Sequence, residues 1–155
     1  CLTCAQVWFL PWHRYFLHIY ESILREYCGY KGSLVYWDWT KDHEALEASP
    51  VFDPITGFGG DGQVGAPVTL GRSGRCVMHG PFADLVVKYY DVDYQPHCLS
   101  RGFQNAAGLL GHMDRYAVSQ AYILEVLSKD RYEEFVKILE DQVHNAIPMG
   151  IGGDF

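Results

Sequence analysis

The chain has 155 residues, enough for one domain with a core and too few to argue for two. Hydrophobic residues make up 48% and charged residues 20%, a globular balance that argues against disorder, collagen-like repeats and low-complexity sequence. A formal charge of −7 with no Lys/Arg block disfavours a nucleic-acid or anionic-membrane partner, and the apolar runs stop short of the roughly 18 residues of a membrane span, so the chain reads as soluble.

From His13 to Glu26 the apolar residues Phe16, Ile19, Tyr20, Ile23 and Leu24 recur at the spacing of an amphipathic helix, which Cys28 and Gly29 end. At about 100° per residue His13 falls with Leu17, Tyr20 and Leu24 on the stripe expected to be buried. Arg14, His18 and Arg25 take the opposite flank, so His13 is expected to point inward and His18 outward. Ser33 to Trp39 suits a buried strand or extended segment that brings Trp37, Asp38 and Trp39 beside that helix. Residues 41 to about 105 contain Pro50, Pro54, Pro67, Pro81, Pro96 and most of the glycines, and read as loops. Helix returns after the N-cap Ser119, over Ala121 to Leu127. It returns again after Asp130, with Tyr132, Phe135, Val136, Leu139 and Val143 on one face. The final stretch runs His144-Asn145-Ala146-Ile147, then Pro148, then a glycine-rich end, and no internal repeat is visible.

Five cysteines, Cys1, Cys4, Cys28, Cys76 and Cys98, allow one or two disulfides in an oxidising or secreted setting. Cys28, Cys76 and Cys98 are the expected participants because they sit in loop-like sequence. Cys1 and Cys4 form a CxxC with no second pair to complete a zinc site. The first residue is Cys rather than Met, so the chain is expected to be a piece of a longer one whose targeting is not legible. Four Trp, eleven Tyr and eight Phe would wall a cavity able to stack a flat aromatic ligand, or would simply fill a core.

On physical grounds alone an imidazole on an apolar helix stripe must satisfy two ring nitrogens in a dry place. A metal ion is one solution for His13; a hydrogen bond to a carbonyl or carboxylate is the other. Glu21, two turns on, is either a carboxylate supporting that histidine or a flank residue. The string Phe9-Leu10-Pro11-Trp12-His13-Arg14-Tyr15-Phe16 with Glu21 resembles the first copper motif of the tyrosinase family. Tyr132, Phe135, Leu139 and Glu140 leading into His144-Asn145 and Gly152-Gly153-Asp154 resemble the start of its second. Tyr36-Trp37-Asp38-Trp39, Gly80-Pro81-Phe82 and Cys98-Leu99-Ser100-Arg101 resemble landmarks of the fungal-type members.

The resemblance implies a mainly α fold, a tyrosinase-like four-helix copper-binding core with long irregular loops, incomplete in this chain. The first copper motif would lie near residues 4–21 and the second near 140–155. It implies two copper ions held by histidines, dioxygen and a small phenolic substrate as partners, and oxidation of phenols or o-diphenols to o-quinones. His13 and His144 match ligand positions. Cys4 stands where the family has a histidine, and a thiolate there could bind Cu(I). Pro148 stands where the next ligand belongs; it brings no donor and costs a helix interior about 3 kcal/mol. Glu140 and Asn145 match the pair that orients a water to take the phenol proton. A copper-deficient binding or structural member of the family is the alternative, and an oxygen carrier a third. His18, His43, His79, His97 and His112 have no partner spacing and are read as non-ligands. Hydrolase, nucleotide-binding and zinc-protease motifs are absent from the sequence.

Overall fold

The computed structural model describes residues 2–66, 74–103 and 114–154, without the side chains of residues 2–6. Helix α1 spans Leu2–Cys28 and contains Pro11 in its interior. It ends where the sequence says it should: Gly29 adopts φ 67°, the left-handed conformation that stops a helix, and the Tyr30 N–H turns back to the Leu24 carbonyl at 3.1 Å. Glu21 then clamps the outgoing chain, its Oε1 accepting from the Leu34 N–H at 3.1 Å and from Arg25 at 3.2 Å. That is a flank role for Glu21. Ser33 to Asp38 carries no strand pairing, and Trp37 and Trp39 pack on a separate core rather than on α1.

That core gathers Leu46, Phe52, Ala117, Val118, Ala146, Ile147 and Ile151. Its walls are single-turn 3-10 segments at Leu46–Ala48 and Pro50–Phe52, the stretch before α2, and helix α4, Asn145–Ile151. Helix α2, Gln120–Leu127, starts as the sequence predicts, with the Ser119 hydroxyl accepting the Tyr122 N–H at 3.2 Å. Helix α3, Tyr132–Ile138, buries Val136 and passes through a π-helical turn, Leu139–His144, directly into α4. Residues of α1 are absent from the core, and α1 is docked onto α3 instead.

Two antiparallel ladders occupy the proline-rich region. Strands β1 (Arg75–Cys76) and β4 (Ser100–Arg101) pair with each other, and β2 (Val86–Tyr90) pairs with β3 (Asp93–Cys98) in register Val86 to Cys98. A disulfide joins Cys76 to Cys98 and ties the two ladders together, while Cys28 is free and exposed.

The expected four-helix, mainly α core is therefore overturned. The described residues form three helical bodies, with α3 and α4 one continuous run, plus two antiparallel ladders and long irregular segments. The reason is local. Val86-Val87-Lys88-Tyr89-Tyr90 and the residues after Asp91 are rich in β-branched and aromatic side chains, and Asp91 at φ 54° makes the turn. Pro96 reads as a loop breaker, yet it is tolerated because β3 is an edge strand of a two-stranded ladder. The expected burial of the Leu17 and Tyr20 stripe is also corrected, since both are exposed in this chain. No described helix is long and apolar enough to cross a membrane.

The disulfide closes a loop between positions 22 apart, so Cys98→Ser should lower the unfolding free energy by about 3 kcal/mol. Chemical denaturation with and without reductant checks this: the wild type should lose that increment on reduction and the variant should not respond.

Candidate metal centre

His13 lies one turn beyond Phe9 on α1 and is half-buried. Its Nδ1 contacts the Phe9 carbonyl at 2.7 Å. A carbonyl only accepts, so Nδ1 carries a proton and donates it there, which turns Nε2 away from that bond. His144 ends the π-helical turn, and its Nδ1 lies 3.2 Å from the Asn145 Oδ1. Asn145 donates its own amide to the Asp141 carbonyl at 3.4 Å, which turns its oxygen toward His144. Nδ1 is again the donor. Two histidines 131 positions apart in sequence thus orient their rings by the same device, an oxygen acceptor on Nδ1.

The two rings also meet. Their centroids are 6.0 Å apart at 63°, and Phe9 touches both, at 4.5 Å from His13 and 5.2 Å, edge-on, from His144. Trp12 flanks His13 at 4.9 Å. Phe9 and Trp12 flank the pair with aromatic rings on the α1 side. Docking of α1 on α3 produces this arrangement, because no segment of the chain links the two histidines locally.

Glu140 has a buried Oε2 with no hydrogen-bond partner among the described residues. No hydrogen bond joins it to Asn145; the Asn145 side chain is engaged by His144 and Asp141. Glu140 and His144 share the π-helical turn, whose wider winding shifts the four-residue stacking expected from α periodicity. Pro148 sits inside α4, where the helix continues past it with the Gly152 N–H bonded to the Pro148 carbonyl at 2.9 Å. Cys4 belongs to α1, but its side chain lies outside the described residues, as does His112 entirely.

Neutral imidazole nitrogens are suitable donors for copper, so His13 and His144 fit that ion in kind. They do not complete a site: among the described residues no group of three or more His, Cys, Asp or Glu is gathered that could hold a metal, and Pro148 contributes no donor.

The remaining histidines separate cleanly. His18 and His79 are exposed, and His43 places Nδ1 2.9 Å from the Thr40 carbonyl. His97 is different: its side chain is 7% exposed, with Nδ1 2.5 Å from the Gln95 carbonyl and Nε2 2.7 Å from Asp154 Oδ1. Both partners are acceptors, so both ring nitrogens donate and the ring is an imidazolium. The other Asp154 oxygen accepts from the Ser100 N–H at 2.6 Å and its hydroxyl at 2.9 Å. Gly153, at φ 69°, lies so near Ser100 that an added Cβ would meet its carbonyl oxygen at 2.3 Å. This polar knot fixes the end of the second motif to β4. Its partners are 57 positions apart, and no sequence spacing reveals it.

The fold and this site define a class of protein, a domain in which two helical motifs present paired imidazoles beside a disulfide-stapled layer of irregular chain. The sequence pattern of the family described as "Tyrosinase: Common central domain of tyrosinase" matches residues 3–155, and the chain belongs to that family. It is 48% identical over 157 residues to "Tyrosinase-like protein phomQ1" of Diaporthe leptostromiformis, covering 95% of this chain and 40% of that protein. It is 42% identical over 147 residues to "Tyrosinase ustQ" of Aspergillus flavus, again covering 95% of this chain and 40% of the relative. A 98-residue match of 43% identity, 52% of this chain and 26% of the relative, joins it to "N-acetyl-6-hydroxytryptophan oxidase ivoB" of Emericella nidulans. The chain therefore spans about two-fifths of the length of the first two relatives, within a family of copper oxidases.

The Gln95 carbonyl, then the Asp154 carboxylate, raise the His97 pKa above its ordinary 6.5. A raised folded-state pKa means the stabilisation is complete below pH 6.5 and is lost as pH climbs through the raised value. Denaturation midpoints measured across that window should fall with rising pH in the wild type. His97→Asn should flatten that slope and cost about 2 kcal/mol on its acid side.

Proposed function

We propose that the complete protein is a copper-dependent oxidoreductase that oxidises phenols or o-diphenols to o-quinones with dioxygen. The observation that carries this reading is the His13–His144 pair, 6.0 Å between ring centroids with both Nδ1 atoms tied to oxygen acceptors. In this reading each histidine offers Nε2 to one of two copper ions, the further donors coming from elsewhere, with the Cys4 position a candidate. Bound copper would supply dioxygen activation. For o-diphenols the balance is two substrate molecules per dioxygen, giving two quinones and two waters.

The chain's own residues have definite tasks. The Phe9 carbonyl and Asn145 hold the two imidazoles in the ligating tautomer. Phe9 and Trp12 exclude water from one side and offer ring faces to a flat substrate. Glu140, whose Oε2 is buried and unpartnered among the described residues, accepts the phenol proton through a water that Asn145 helps to orient. The relative from Emericella nidulans is named as an oxidase of a hydroxylated aromatic, which supports this substrate class.

A second reading has its own support. Pro148 at a ligand position, with no third donor gathered among the described residues, favours a copper-deficient member that serves as a binding or structural protein. Elemental analysis of the complete protein together with oxygen uptake on a catechol separates the two. The oxidase reading predicts bound copper, quinone formation and a loss of at least about 100-fold in copper affinity for His13→Ala or His144→Ala. No copper and no quinone would overturn it in favour of the second reading, and reversible oxygen binding without turnover would mark a carrier.

A further inference from the structure

Pro11 sits in the interior of α1. Proline has no N–H, so the carbonyl four residues earlier, that of Val7, loses its helical donor. Tyr132, the first residue of α3, fills that gap: its hydroxyl donates to the Val7 carbonyl at 3.1 Å across 125 positions of sequence. The carbonyl that α1 leaves open by its own chemistry is the one that α3 takes up.

The same bond sets where the next turns of α1 meet α3. Phe9 is two residues beyond Val7 and packs edge-on against His144; His13 is one turn further and meets the same ring. A slip of one residue between the helices would shift these side chains by about 1.5 Å along the axis and about 100° around it, which would part the two imidazoles. Apolar contacts between helices are tolerant of sliding, whereas a hydrogen bond to one particular carbonyl is not. Val7 and Tyr132 are both exposed, so the bond adds only modest stability and acts chiefly on register.

We infer that Tyr132 is a positioning residue for the His13–His144 pair, acting through the Val7 carbonyl that Pro11 leaves without a helical donor. Its relevance to catalysis rests on the copper reading of that pair, but the positioning itself is readable without metal.

A double-mutant cycle tests it. Tyr132→Phe removes only the hydroxyl, and Pro11→Ala restores the N–H that bonds Val7 within α1. In the Pro11 background, Tyr132→Phe should lower the folding equilibrium constant about fivefold. It should also move the His144 ring-proton resonances in the folded protein, because the ring current of Phe9 no longer acts at a fixed distance. In the Pro11→Ala background the same substitution should change the equilibrium constant by less than about twofold, since Val7 is already satisfied. Equal effects in both backgrounds, or His144 resonances unmoved by Tyr132→Phe in Pro11 protein, would overturn the inference. Should Tyr132→Phe alone fail to fold, the double variant should recover folding, and failure to recover it would also overturn the inference. A Cu(II) titration of the four proteins separates this from the oxidase reading. The expected resonance pattern with no copper uptake in any of them supports the positioning role and removes the copper role.

Discussion

The contact of Phe9 with His13 on one side and His144 on the other is the interaction on which the site depends. Each histidine is oriented by its own neighbourhood: the Phe9 carbonyl for one, Asn145 for the other. Neither neighbourhood knows of the other. Only the docking of α1 on α3 turns two separately prepared imidazoles into a pair. The docking is narrow, because α1 contributes nothing to the Leu46 and Val118 core that organises the rest of the chain.

This division gives the molecule two parts with different physics. The body is held by apolar packing around Phe52 and Ile147, by the Cys76–Cys98 link and by the His97–Asp154–Ser100 knot, all clustered where the irregular segments meet α4. Helix α1 leans on that body through one face, while an aromatic stripe on its exposed surface lies beside the charged Arg14, Arg25 and Glu26. Trp12, Phe16 and Tyr20 stack along it, with Trp12 57% exposed and Tyr15 beside them 67% exposed. An apolar surface of this extent is characteristic of a contact face rather than of a helix designed to meet water. The same helix therefore carries half of the imidazole pair and, among the described residues, six of the thirteen exposed aromatic side chains.

Legibility in the sequence followed the range of the interactions. The end of α1 at Cys28-Gly29, the Ser119 cap and the buried Val136 and Val143 face of the third helical body are local patterns, and each is found where the sequence places it. The apolar stripe of α1 was legible as a stripe, but periodicity says which face is apolar and not whether anything covers it; hence Leu17 and Tyr20 are exposed. Pro11 hid the first turns of α1, since proline ordinarily ends or precedes a helix, and the donor that makes it tolerable lies on another element. The β2–β3 hairpin was masked by Pro96, and the π-helical turn has a period that an α template does not detect. His97 looked like a loop histidine because its partner is distant in sequence. The motifs single out His13 and His144 one at a time; the contact between their rings depends on the docking of α1 on α3, a tertiary event that neither motif encodes.

The central claim is that His13 and His144 form one pair, each with its Nδ1 donating to an oxygen acceptor. Nitrogen-15 NMR of the imidazoles at neutral pH, in protein stripped of metal, tests it most directly, because ring-nitrogen shifts distinguish the tautomers and ring-proton cross-peaks report proximity. The Nδ1–H tautomer at both residues and a cross-peak between their rings are the expected result. Averaged tautomers at either residue, with no cross-peak between them, would contradict it.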